Sequence, residues 1–134
     1  MTQSFNVLPD SEAPVFTSSP SAMSAIACDG VFPAQETLTA NDDCSLVEIV
    51  QDTLPYVEDI CNGYVVTYRW IATDGCSNAD TVTQSFNVLP DRIAPVFASS
   101  PSAMSDIDCN GVFPAQETLT ANDACSDVTI VQDT

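Results

Sequence analysis

The sequence predicts an all-β chain built from tandem antiparallel sandwiches joined by short Pro-Asp linkers. Three observations carry that prediction. Residues 2–53 return at 83–134 with an offset of 81, and 43 of the 52 paired positions are identical. The apolar residues alternate with a period of two in short runs bounded by Pro, Gly, Asn and Asp, the pattern of half-buried strands. No segment shows the 3.6-residue period of an amphipathic helix.

Taken in order, TQSFNVL (2–8) alternates, with Phe5 and Val7 on one face, and Pro9 stops it because proline cannot continue a ladder. Pro9-Asp10 and Pro90-Asp91 read as linkers. APVF (13–16) is a short edge strand. Val31–Ala40 is predicted as a strand with Ala34, Leu38 and Ala40 inward, after a Cys-Asp-Gly turn. Asn41–Ser45 is a loop and Val47–Val50 a strand, while Gln51–Asn62 gives no clear assignment. Tyr64–Thr73 is the strongest strand, with Val66, Tyr68, Trp70 and Ala72 on one face. Asp74–Asn78 is its closing loop, and Thr81–Leu89, with Val82, Phe86 and Val88 inward, completes the unit. Short strands at this spacing point to an Ig-like antiparallel β-sandwich. The expected organisation is the last strand of a preceding repeat (1–10), one complete repeat (11–91) and the N-terminal part of the next (92–134). Both ends fall inside a repeat, which suggests an excerpt from a longer array.

An 81-residue unit has a thin core and commonly needs staples. Four of the six cysteines lie in the complete repeat, and four cysteines permit three pairings. In an Ig-like unit, Val31–Ala40 and Tyr64–Thr73 run in the same direction. Cys28 and Cys61 precede these strands and Cys44 and Cys76 follow them, so Cys28–Cys61 and Cys44–Cys76 would bridge one pole each. Either bridge closes a loop of about 33 residues, worth roughly 3.5 kcal/mol in the loop-entropy model. Cys109 and Cys125 are then expected to pair beyond the chain end or in a neighbouring chain. Zinc is disfavoured, because no close Cys pair and no His is present. Disulfides imply an oxidising, extracellular compartment.

There are 19 acidic residues against two basic ones and no His, for a formal net charge of −17. Nucleic acid is excluded as a partner for want of cations to meet phosphate. No apolar run is long enough for membrane insertion by this segment. The same topology directs Asp10 toward Asn41, Asp42, Asp43 and Asp74, and Asp91 toward Asn122 and Asp123. The opposite pole, with Asp29, Glu58 and Asp59, faces the next unit across Asp91. Asp10, Asp42, Asp74, Asp91 and Asp123 are therefore candidate Ca²⁺ ligands, hard oxygens suited to an ion that takes six to eight of them. The alternative is that these residues serve only as turn formers. Asp43 is the weaker candidate, since its counterpart is Ala124. No enzyme is expected: a nucleophile–His pair cannot exist, and the acids cluster in turns. Tyr64, Tyr68 and Trp70, at strand spacing beside Val66 and Ala72, read as core rather than as a sugar-stacking platform. No organic cofactor is implied.

The loops TANDDCS and ATDGCSN, the strand YRWIATD and the linker DRIAPVF together resemble the HYR-like (hyalin-repeat-like) modules. These occur in tandem in large cell-surface adhesins of Bacteroidetes-type bacteria, including gliding-motility adhesins. The resemblance spans essentially the whole unit. It implies an Ig-like fold, secretion to the cell surface and a stalk or filament role, and it assigns no adhesive ligand. Ser77 stands where such loops often carry Gly, a departure expected to matter little. Thr53 and Thr81, in Asp-Thr-aliphatic tripeptides, look like the O-glycosylation motif of such bacteria. The expected function is thus a structural spacer whose partners are neighbouring repeats or subunits. The rival expectations are a glycan- or protein-binding module, and a fibre subunit that donates residues 1–10 as a strand to the next chain.

Overall fold

A computed structural model describes residues 1–134. It is all-β, with seven strands in three antiparallel sheets and no helix, hence none long and apolar enough to cross a membrane. The central sheet has the order β3 (Glu48–Thr53), β4 (Tyr64–Thr73), β5 (Ala79–Val88). Two small sheets share one register: β1 (Val15–Phe16) with β2 (Ala40–Asn41), and β6 (Val96–Phe97) with β7 (Ala121–Asn122).

The alternation in β4 decides where the core lies. Val66, Trp70 and Ala72 are fully buried and Tyr68 is 5% exposed, while the intervening residues face outward. Phe86 and Val88 of β5 and Leu38 close over them. Two polar tips are satisfied by one crossing segment: Tyr68 Oη donates to the Pro33 carbonyl at 2.6 Å, and Trp70 Nε1 to the Glu36 carbonyl at 2.8 Å. These bonds fix residues 33–38 across the face of β4. Only nine of the 134 residues are buried, so each core side chain carries a large share of the stability.

Three expectations are revised. Val31–Ala40 enters a ladder only at Ala40–Asn41. Pro33 lacks an amide hydrogen, and side-chain donors of β4 take the carbonyls of residues 33 and 36 in place of a neighbouring strand. Leu38 is buried as expected and Ala40 half-buried, but Ala34 is exposed. Residues 1–9 form no strand, and Phe5 and Val7 are more than four-fifths exposed. The equivalent residues of β5 pair with β4. Tyr64 and Tyr56 stack at 5.7 Å at the rim, while Tyr68 and Trp70 lie in the core.

Candidate functional site

The Asp, Asn and Cys residues of the turns gather at the two ends of the first unit. At one end, Asp42 Oδ1 accepts from the amides of Cys44 and Ser45 at 2.8 and 2.9 Å, folding a tight turn. Asp74 Oδ1 accepts from the amides of Cys76 and Asn78, both at 2.8 Å, and Oδ2 from Asn78 Nδ2 at 2.7 Å. Gly75 N donates to Ser45 Oγ at 3.0 Å, which ties the two turns together. Asp10 arrives from the linker, its Oδ1 taking the Glu12 amide at 3.2 Å, and its buried Oδ2 has no protein donor. Oxygens of Asp10 and Asp42 and the Cys44 sulfur lie within 4.8 Å of one another, and the Asp10 carboxyl adjoins Asp74.

The second joint repeats this arrangement. Asp123 Oδ1 accepts from the amides of Cys125 and Ser126 at 2.9 and 3.1 Å. Asp91 Oδ1 accepts from Ile93 N at 3.0 Å, and Asp91 Oδ2 from Ser126 Oγ at 3.3 Å. Asp91, Asp123 and Cys125 again present ligand atoms within 4.8 Å of one another. The Asp91 amide donates to the Ile60 carbonyl at 2.8 Å, and Leu89 N to Ile26 O at 2.8 Å, so the linker is moored to the far pole of the first unit. Asp29 completes the joint: its carboxylate lies within 4.8 Å of both Cys28 and Cys125 sulfurs. Thus Asp10 meets Asp42 and Asp74, and Asp91 meets Asp123. Asp43 is exposed beside the cluster. Asp59 instead caps its own turn, accepting from Asn62 N at 2.9 Å.

The electrostatics follow from this crowding. The Cys44 thiol is pushed up, first by the Asp10 charge, then by burial and by Asp42, Asp43 and Glu12. For Asp74, 7% exposed, burial opposes ionisation, but the bonds from Asn78 and Cys76 outweigh it and hold the carboxyl below its ordinary range. The Cys125 amide chiefly lowers Asp123, with Ser126 assisting against burial. None of these carboxylates is in an ion pair. The only ion pair is Arg69–Asp52, remote on β3 and β4, where two guanidinium–carboxylate hydrogen bonds form. Oxygens in excess of available donors are what a hard cation requires.

The disulfide pairing differs from the expected one. Cys28 is bonded to Cys125, with Cα atoms 5.6 Å apart, and Cys44, Cys61, Cys76 and Cys109 are exposed thiols. Neither Cys28–Cys61 nor Cys44–Cys76 is formed, and Cys125 finds its partner inside the chain. The reason lies in the linker: Asp91, anchored to Ile60 and to Ser126, carries the Cys125 turn onto the pole that holds Cys28. The Ser45–Gly75 bond does bring the Cys44 and Cys76 turns together, yet both sulfurs stay unbonded.

Sequence reasoning also missed the backbone at Ser77, which adopts φ 72°. A side chain in this left-handed region costs about 1–2 kcal/mol, so a residue expected to matter little sits where glycine would be unstrained. The glycine often found at this position was the signal available. Thr53 ends β3 opposite Tyr68, Thr81 lies in β5 opposite Ile71, and both are exposed. Comparison with protein-family models, with curated proteins and with solved structures finds no match to this chain.

Proposed function

We propose that this chain is a segment of a structural spacer, a run of Ig-like β-sandwich units stacked end to end in an extracellular adhesin stalk or filament at the cell surface. The observation that carries this reading is the repetition of the joint. Asp10–Asp42–Cys44 and Asp91–Asp123–Cys125 use the same turn hydrogen bonds, one offset apart. A surface built to recognise a ligand has no need to recur at every linker, whereas a stalk must make the same joint each time.

Further support comes from the sheet. The order β3-β4-β5, with a parallel bridge between Ile26 and Val88, suits one face of an Ig-like sandwich flanked by the segment around Ile26. The HYR-like character of the loops and the YRWIATD strand agrees with it. A disulfide fits an oxidising compartment, and an excess of carboxylates keeps a long exposed fibre solvated.

Ca²⁺ is the proposed stiffener of each joint, held by Asp10, Asp42 and Asp74 at one linker and by Asp91 and Asp123 at the next. A bound cation would offset carboxylate repulsion and hold linker and turn together. A two-unit chain in millimolar Ca²⁺ is expected to melt higher than in excess chelator, by about 2.7 kcal/mol of stability if the ion stands at a hundredfold its Kd. Asp42→Asn with Asp123→Asn should abolish the difference. Equal melting with and without chelator would remove calcium from the account and leave the spacer reading in place.

A further inference from the structure

We propose that the Cys28–Cys125 disulfide is a cleavable strap across the joint, opened selectively by small thiols that carry a positive charge. The bond ties the far pole of the first unit to a turn of the second. Both cysteines are half-buried, so the sulfurs are within reach of a small reagent. Three carboxylates stand beside them. An oxygen of Asp29 lies within 4.8 Å of both sulfurs, and oxygens of Asp91 and Asp123 lie within 4.8 Å of the Cys125 sulfur.

Two of the three carboxylates are held in place. Asp123 Oδ1 accepts from the Cys125 and Ser126 amides at 2.9 and 3.1 Å. Asp91 Oδ1 accepts from the Ile93 amide at 3.0 Å, and its Oδ2 from Ser126 Oγ at 3.3 Å. Arg92 follows Asp91 in sequence but forms no ion pair with any of the three, since the only ion pair is Arg69–Asp52. The local field therefore adds to the background of a chain with formal net charge −17. A disulfide is opened by a thiolate, so every attacker arrives with one negative charge. A second negative group on the reagent adds to the repulsion, and an ammonium group offsets it.

In the reaction, a reagent thiolate bonds to one sulfur of the pair, and the S–S electron pair leaves with the other, which takes up a proton. A second reagent thiolate then attacks the reagent sulfur of the mixed disulfide. The remaining cysteine departs and is protonated, so two protein thiols and one oxidised reagent disulfide result. Opening the bond releases a connection across 97 residues of sequence, within which β3, β4 and β5 all lie. It parts the Cys125 turn from the Cys28 pole and touches none of the ladder hydrogen bonds of the central sheet. The strap thus unlocks the joint and leaves the first unit's core folded.

The test uses the whole chain in chelator, with its free thiols first blocked by iodoacetamide. Timed alkylation and mass spectrometry then follow the release of Cys28 and Cys125 by cysteamine, which is cationic, and by mercaptopropionate, which is anionic. Rates are taken per thiolate, and the disulfide of mercaptoethanol serves as the uncharged reference. At low salt the preference for cysteamine should exceed that of the reference by about tenfold, the low end of electrostatic steering. It should shrink toward the reference in about 1 M salt, where screening acts over about 3 Å. Asp29→Asn, at an exposed position, should narrow it by a few fold. A preference equal to the reference, or one indifferent to salt, would overturn the proposal. So would an Asp29→Asn chain as selective as the parent, which would place the effect in the overall charge, and so would Cys28 and Cys125 found unbonded to each other. None of these results bears on the spacer reading, which is judged on the length of multi-unit chains.

Discussion

Replacing Trp70 with alanine is expected to destabilise the unit by about 3–5 kcal/mol, the usual cost of emptying a buried aromatic site. Trp70 is fully buried, lies edge-on to Tyr68 with ring centroids 6.4 Å apart, and donates to the Glu36 carbonyl. Its loss would leave a cavity in the core cluster beside Tyr68 and loosen the segment that Trp70 and Tyr68 hold across β4. Small domains hold only about 5–15 kcal/mol in total, so the variant should lose a large share of its stability. Trp70→Phe keeps most of the apolar area and forfeits the indole hydrogen bond, and its cost should be nearer 1–3 kcal/mol. Urea unfolding followed by far-UV circular dichroism reads both. A Trp70→Ala midpoint equal to that of the parent chain would mean that the β4 face is not the core.

The second large effect concerns Cys28–Cys125. The bond spans 97 residues of sequence, and in the loop-entropy model a loop of that size contributes about 4.7 kcal/mol. Reduction, or Cys28→Ser, should therefore loosen residues 92–134 first. That region holds only the two-residue strands β6 and β7, whereas β3, β4 and β5 form a continuous ladder of their own. Hydrogen exchange should show the Ala98 amide, bonded to Thr120 O at 2.8 Å, losing protection on reduction while the amides of β4 keep theirs. Unchanged exchange at Ala98 would show that the disulfide does not hold the second unit in place.

The central sheet was the most legible part of the sequence. In Tyr64–Thr73 burial alternates residue by residue from Val66 to Ala72, because a strand with one covered face leaves no freedom in register. Thr81–Leu89 was read nearly as well, for the same reason. Val31–Ala40 was over-read: its apolar residues do face the core at Leu38, but Pro33 and the side-chain bonds from Tyr68 and Trp70 replace the ladder. Period-two patterning reports which side of a segment is covered, not whether its backbone is paired. The gathering of Asp10 with Asp42 and Asp74, and of Asp91 with Asp123, was foreseeable, since Asp in a turn and Asp in a linker converge once the strand directions are set. Cysteine pairing was not. It depends on how one unit sits on the next, which here is decided by single bonds such as Asp91 N to Ile60 O, and no spacing within a unit encodes that.

The most direct measure of the proposed spacer is the length of chains carrying increasing numbers of the 81-residue unit, taken from solution scattering or single-particle images. A stiff stack adds one sandwich length at each step, roughly 35–45 Å for strands of about ten residues, so length should rise linearly with unit number. Growth as the square root of unit number, the behaviour of compact beads on flexible linkers, would contradict the account.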